Sequence, residues 1–389
     1  MNDLALKYYL CPLSWQCAEY HKMAVTEHLY LKASGGVRLT PAEALTLWEE
    51  APLSMLMYLA DLRRRGIHKG DGVGWMIDRN INITNICFSQ CRFCNFCRTS
   101  KSEEAYVTTD AEYDRKIGEL ITLGGDQLLL QGGMNPALDL AYYVSLFTRL
   151  KKRWPAIKLH ALGPPEVVYL ARKEKMSYRE VLVALHDAGL DSLPGAGAEI
   201  LVDRVRKIVS PAKATAEEWL GVMREAHMLN LPASATMMFG HAETVAERIE
   251  HLVRLRDLQD EKPDGHDGFI TFIPWPFMDR GTPLAEKYGI RSNVTAAEYL
   301  KIIAISRLVL DNIPNIQSSI LTVGAETAMI SLHAGANDLG SVMVEENVVS
   351  AAGDPFRTSP EEMKQIIMEA GFTPVRRDQR YRPYVPAGN

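Results

Sequence analysis

The sequence is poor in cysteine, with six in 389 residues, and four of those lie between Cys87 and Cys97. The N-terminus, MNDLALKYYLCPLSWQCAEYHK, lacks a basic segment followed by a continuous apolar stretch. Cysteines so few and so bunched, without an export signal, do not form the disulfide framework of a small secreted domain. No apolar run approaches the roughly 18 residues that a membrane-spanning helix needs, so no membrane partner is expected. Positive charge is not in excess either. A net charge of -5 and a pI near 6.1 offer no basic field for counterion release, so nucleic acid is not an expected partner. No internal repeat or low-complexity tract is present. The expectation is a soluble, cytoplasmic protein.

What is there suits a large α/β fold. Hydrophobic residues make up 47% and charged residues 23% of the chain, enough for one large barrel or two smaller domains. The first eighty residues read as helical. Thr40-Pro41-Ala42-Glu43 supplies an N-cap, a proline at the first helical position and a reaching-back glutamate ahead of LSMLMYLADLRRR. From residue 81 onward, short apolar or alternating runs exchange with helix-length amphipathic segments. Strand candidates are INITNI, DQLLLQ, IKLHAL, DSLPG, ASATMMF, GFITFI, IQSSILTV and GSVMVEE. Helix starts are marked at Asp110, Ser177 with Glu180, Thr215 with Glu218, Thr295 with Glu298 and Ser359 with Glu362. This alternation predicts a (β/α)8 TIM-type barrel over 79–350, an N-terminal helical extension over 1–78, and a C-terminal helix and tail over 351–389 completing the barrel. An incomplete six-stranded barrel is the alternative, because the fourth strand contains Pro194 and the eighth is weakly marked. The tail RRDQRYRPYVPAGN reads as a segment crossing the surface. In such a barrel, functional residues sit at the C-terminal ends of strands and in the loops that follow.

The cysteine loop lies at such a place, after the first strand. Cys87, Cys91 and Cys94 form C-x3-C-x2-C, with Phe93 before the third cysteine. A structural zinc site draws two ligand pairs from separate places, and there is no second pair here. Three thiolates from one loop suit a [4Fe-4S] cube with one iron left open. Cys97 extends the run to C-x3-C-x2-C-x2-C, so a closed four-cysteine carrier or sensor is also possible, and a zinc-stabilised binding module is a further alternative. Cys11 and Cys17 read as buried free thiols.

The spacing with its aromatic residue resembles the radical S-adenosylmethionine (SAM) enzymes. Within them, IDRNINITNICFSQCRFCNFCR, LLLQGGMNP, LPGAGAEIL, TMMFGHAET, FIPWPF and GANDLGSVMVEENVVSAAG resemble the family of cyclases in the futalosine route to menaquinone, across about residues 76 to 383. Aminofutalosine and F0 synthases are related families. Two positions depart from the cyclase pattern: Cys97, and Ile320 where a tryptophan is expected.

The resemblance implies that Cys87, Cys91 and Cys94 hold a [4Fe-4S] cluster whose open iron binds SAM, and that reduction yields a 5'-deoxyadenosyl radical. A flavodoxin or ferredoxin-type reductant and a small-molecule substrate, dehypoxanthine futalosine or a similar aromatic nucleoside-like compound, are the implied partners. Phe93, Gln131, Gly132, Gly133, Glu199 and Arg206 are the expected SAM contacts, with Lys213 a second cation near the carboxylate. His160, Glu166, His241 and Glu243 are the expected catalytic groups, each aimed inward after strands 3 and 5. Trp275 either stacks on a ring or packs the barrel mouth. The GANDLG turn and Glu345-Glu346-Asn347 offer groups for sugar hydroxyls.

Overall fold

The computed structural model describes residues 26–345, 347, 351 and 356–385. Cys11, Cys17, Glu346 and the last four residues of the tail lie outside the described residues. Among the described residues no helix is long and apolar enough to cross a membrane.

Residues 26–34 are helical, followed by α1 (Pro41–Glu50) and α2 (Leu53–Ile67). The expected capping box at α1 is formed: Thr40 N donates to Glu43 Oε2 at 2.8 Å and Glu43 N to Thr40 Oγ1 at 3.3 Å. Then comes a stave in two halves, β1 (Gly72–Met76) and β2 (Asp78–Asn80). β1 thus falls inside the stretch expected to be wholly helical.

The remaining elements alternate. They are α3 (Asp110–Thr122), β3 (Gln127–Leu130), α4 (Leu140–Arg153), β4 (Lys158–Ala161), α5 (Pro164–Glu174), α6 (Tyr178–Asp187), α7 (Asp203–Val209), α8 (Ala216–Met228), β5 (Ala233–Phe239) and α9 (Val245–Asp260). After them come β6 (Phe269–Pro276), α10 (Pro283–Tyr288), α11 (Ala296–Val309), β7 (Asn315–Ile316), α12 (Ile320–Leu332), β8 (Asp338–Ser341), α13 (Pro360–Glu369) and β9 (Thr373–Arg376). Ser177, Thr215 and Ser359 cap their helices through reciprocal boxes, as read from the sequence. The cap of α3 is Thr109, one residue before the expected Asp110, because it is the Thr109 hydroxyl that meets Glu112 N.

The strands pair in parallel around a closed ring. β1 pairs with β8, β2 with β3, β3 with β4, β5 with β6 and β6 with β7. Single parallel bridges close the gaps: His160 to Ser192, Leu193 to Ala233, and Gln317 to Asp338. Residues 192–193 therefore form the fourth stave, and the barrel has eight. The stave is short because Pro194 has no N–H to donate. At Gly195 a Cβ would stand 2.4 Å from Ser234 O, so only glycine lets the two backbones approach.

The tail does not merely cross the surface. β9 pairs in parallel with β1, from Gly72–Thr373 to Trp75–Arg376. Arg377, 5% exposed, then reaches into the barrel and binds Asp338 of β8 through Nε–Oδ2 at 2.5 Å and Nη2–Oδ1 at 3.0 Å.

A TIM barrel interior is ordinarily filled by branched apolar side chains. Here the inward positions include Asp78, Asn80, Gln127, His160, Ser234 and Thr236, and they line a cavity of about 360 Å³ along the barrel axis. Small polar residues cannot fill that space by apolar packing, so the barrel encloses a chamber.

Candidate active site

The cysteine loop leaves the first stave and is stitched to the next. Cys87 N donates to Arg98 O at 3.0 Å, and Phe88 N to Met134 O at 3.1 Å. Gly133 N donates to Thr84 O at 2.8 Å, and Met134 N approaches Cys87 Sγ at 3.4 Å. A Cβ on Gly132 would lie 2.9 Å from Thr84 O, and one on Gly133 2.2 Å from Ile86 O and 2.8 Å from Cys87 Cβ. The two glycines thus let strand β3's loop press against the cysteine loop. Gln131, next to them, lines the cavity.

All four clustered cysteines are free thiols, and Cys91 is buried. Burial pushes the Cys91 thiol up to about 11, opposed by Lys213 and by Ser89, whose hydroxyl lies 3.2 Å from Cys91 Sγ. The Cys97 side chain holds the Cys94 thiol beside it below its ordinary range, while Cys94 and burial push the Cys97 thiol up.

Facing the loop is a charged pair. Lys213 Nζ binds Glu199 Oε1 at 2.8 Å and stands 5.2 Å over the Phe93 ring. Phe93, Glu199 and Lys213 all line the cavity. Glu199 is 5% exposed; burial would raise its pKa, but Lys213 and Arg206 outweigh that and hold it below the ordinary value. Its backbone is left-handed, with φ 42°, a conformation that costs energy outside glycine. Met238 N fixes it by donating to Glu199 O at 3.0 Å.

Arg206, expected as a carboxylate contact, is committed elsewhere. Its guanidinium donates to Ala214 O at 2.9 Å through Nε, to Ala198 O at 2.6 Å and Gly197 O at 3.1 Å through Nη1, and again to Ala214 O through Nη2 at 2.5 Å. It ties the Glu199 turn to the segment carrying Lys213. Of these two cations, Lys213 is the one that faces the chamber.

Of the four expected catalytic groups, His160 alone lines the cavity. Its Nδ1 lies 2.6 Å from Ser192 Oγ, and burial lowers its pKa to about 4, so it is neutral at physiological pH. Glu166 caps its own helix by accepting Gly163 N at 3.1 Å, and burial pushes its pKa up to about 7. His241 is turned back on its own loop, Nε2 2.9 Å from Met238 O and Nδ1 3.0 Å from Glu243. Glu243 accepts Gly240 N at 2.6 Å and Arg248 Nε at 2.8 Å. Neither His241 nor Glu243 reaches the chamber, because a buried carboxylate flanked by Arg248 and two backbone amides is already fully partnered.

The groups expected for sugar hydroxyls are likewise spent on closing the barrel. Asn337 Oδ1 accepts Arg307 Nη2 at 2.7 Å, and Glu345 accepts Arg79 Nη2 at 2.8 Å and Lys116 Nζ at 2.5 Å. Asn347 Nδ2 donates to Asn82 Oδ1 at 3.0 Å. Trp275 and Ile320 do line the chamber. Sequence reasoning missed Asp78, Asn80 and Gln127. Their signal is alternation: in MIDRNIN the polar Asp78 and Asn80 occupy the inward positions of a stave.

Residues 81–255 match the radical SAM superfamily, and residues 266–387 match the CofH/MqnC C-terminal region. Cyclic dehypoxanthine futalosine synthase of Streptomyces coelicolor is 42% identical over 357 residues, 91% of this chain and 88% of that protein. The chain belongs to the radical SAM superfamily. This radical SAM chain is also 39% identical to 5-amino-6-(D-ribitylamino)uracil--L-tyrosine 4-hydroxyphenyl transferase of Methanopyrus kandleri, over 81% of its own length and 85% of that protein. Among solved structures, methylornithine synthase superposes with a TM-score of 0.67 at 20% identity, covering 90% of this chain and 97% of that one, a likeness of fold.

The superfamily implies a [4Fe-4S] cluster and SAM, and the donor set here fits them. Among the described residues no three His, Cys, Asp or Glu side chains converge as the ligands of a single ion must. A cube makes no such demand, since each thiolate takes a separate iron corner. The loop offers free thiols beside a lysine that favours their ionised form, with one carboxylate and one ammonium at the chamber mouth for an amino-acid head group.

Proposed function

We propose that this protein closes dehypoxanthine futalosine into its cyclic form for menaquinone biosynthesis. The reading is carried by a three-thiol loop whose Phe93 borders a barrel chamber with polar groups set in a mostly apolar wall, in a chain that resembles the cyclase along nearly its whole length. Cys87, Cys91 and Cys94 hold the cluster, with Cys97 beside Cys94. Glu199 and Lys213 take the ammonium and carboxylate of SAM, and Phe93 and Gln131 border it. Arg206 holds the two turns that carry Glu199 and Lys213. Once bound and reduced by a flavodoxin or ferredoxin-type donor, cluster and SAM supply a 5'-deoxyadenosyl radical.

Loss of the C4' hydrogen leaves the substrate's ribose carbon free to add to its own benzoate ring. One electron and one proton must then leave to restore aromaticity, the electron returning to the oxidised flavodoxin or ferredoxin-type partner that supplied the first one, so that the cyclisation is redox-neutral for that partner. His160 is neutral, faces the chamber and has Nδ1 oriented by Ser192, so it is assigned as proton acceptor. A weak base suffices, because the oxidised adduct is a strong acid. The walls keep water from the carbon radical.

The test is anaerobic reconstitution with SAM, reductant and dehypoxanthine futalosine, followed by mass detection. The expected result is a product lighter by a pair of hydrogens, formed with one 5'-deoxyadenosine. Deoxyadenosine without loss of the substrate would overturn the substrate and favour a coupling of two molecules, as the name of the transferase relative suggests; Cys97 and Ile320 would then be the first positions to examine.

A further inference from the structure

The lower half of the chamber carries polar atoms that this mechanism does not use. Asp78 and Gln127 stand opposite one another in the β2–β3 register, 6% and 5% exposed, and both line the chamber. Gln127 Nε2 donates to Asp78 Oδ2 at 3.2 Å. That bond fixes the amide, because turning it over would set its oxygen against the carboxylate. Gln127 Oε1 and Asp78 Oδ1 are then buried with no hydrogen-bond partner. Asn80, two residues along the same inward face and 2% exposed, adds a third unpartnered oxygen, Oδ1, while Gln379 contributes an unpartnered donor, Nε2.

Buried polar atoms are almost always paired, so a cluster of unpaired ones on a cavity wall marks a place where something else completes the bonding. Arg377 is not that partner. Its guanidinium is held by Asp338 and lies 3.7 Å over the Tyr381 ring. The unpartnered oxygens of Asp78, Gln127 and Asn80 outnumber the unpartnered donors beside them, the Thr271 hydroxyl and Gln379 Nε2. A ligand carboxylate would meet oxygen against oxygen there, whereas adjacent hydroxyls would give each acceptor its proton.

We propose that the barrel floor is a subsite for the hydroxyls of a sugar ring, with Asp78 Oδ1 and Gln127 Oε1 accepting from neighbouring hydroxyls and Asn80 beside them. The inference rests on the proposed function, which supplies a ribose-bearing substrate. It sets the hydroxyl edge of the ribose against β2 and β3 and leaves the aromatic end toward the rest of the chamber wall, which includes His160 of β4 and Trp275 of β6. Asp78 and Gln127 are positioning and specificity residues.

The test is calorimetric binding to the cluster-loaded, SAM-bound, unreduced protein, with dehypoxanthine futalosine and its 2-deoxy and 3-deoxy analogues as probes. Wild type is expected to bind at least one deoxy analogue about 10-fold or more weakly, the loss expected when a buried acceptor is left without its donor. In Asp78→Asn and Gln127→Met the parent compound weakens by a similar factor, the deoxy analogue hardly changes, and discrimination collapses. Cluster absorbance and SAM affinity stay at wild-type values, which shows that the variants fold. Equal weakening of parent and analogue, or no weakening at all, overturns the subsite. Turnover is read separately. Asp78-dependent binding without conversion overturns the proposed reaction alone, and conversion with hydroxyl-blind binding overturns the subsite alone.

Discussion

Gly133→Ala separates two roles for the glycine pair, and its size follows from geometry. The added Cβ would stand 2.2 Å from Ile86 O, 2.6 Å from Ile86 C and 2.8 Å from Cys87 Cβ. Two of those atoms are backbone, so no flexible side chain can turn away, and the cysteine loop must retreat by about 1 Å to regain ordinary contact. Overpacking of this kind costs about 1–3 kcal/mol, a fall of a few degrees in Tm for a chain of this size. The larger effect is local. Cys87 moves with Ile86, and a displacement of about 1 Å near reacting groups costs about 10²-fold in rate. The assay is iron and sulfide per chain after reconstitution, with Tm and deoxyadenosine formation alongside. Gly118→Ala, in α3 with nothing within 4 Å of the added carbon, is the control and is expected to be neutral or stabilising by up to about 1 kcal/mol. A Gly133→Ala protein with a full cluster, wild-type Tm and wild-type rate would show that the close approach of the two loops does not need glycine.

Three further outcomes are expected. Lys213→Met removes the cation 2.8 Å from Glu199 and weakens SAM binding about 10-fold or more by calorimetry; an unchanged Kd would remove Lys213 from the site. Cys97→Ala keeps the cluster absorbance and Cys91→Ala loses it, whereas a four-cysteine carrier would lose it in both. Burial lifts Glu166 from its ordinary 4.5 to about 7, so the stability it lends is complete below its unfolded pKa and is lost as pH rises through about 7. Glu166→Gln abolishes that loss, so the apo variant should gain on wild type between pH 5 and 8, by up to about 3 kcal/mol; a pH-independent difference in Tm would contradict it.

The parts of this molecule that are legible in its sequence are those set by neighbours along the chain. Capping boxes at Thr40, Ser177 and Thr215 involve residues three apart, and the cysteine loop is a spacing within eleven positions. What could not be read depends on distant partners. Arg377 meets Asp338, 39 positions earlier, so a tail that looks like surface becomes part of the chamber wall. Glu243 looks catalytic after its strand until Arg248 and Glu298 are seen to complete an ion-pair chain around it. Arg206 looks like a carboxylate ligand until its carbonyl partners appear. Asp78 and Asn80 were legible by alternation, but the eye is drawn past them to the cysteines.

The proposed reaction turns on hydrogen abstraction from the ribose C4' position by the radical derived from SAM. The most direct measurement uses substrate deuterated at C4', with wild-type protein, SAM and reductant, and reads the isotope in 5'-deoxyadenosine by mass. The expected result is deoxyadenosine heavier by one deuterium together with a cyclised product that has lost it. Unlabelled deoxyadenosine alongside product that retains the deuterium would contradict it.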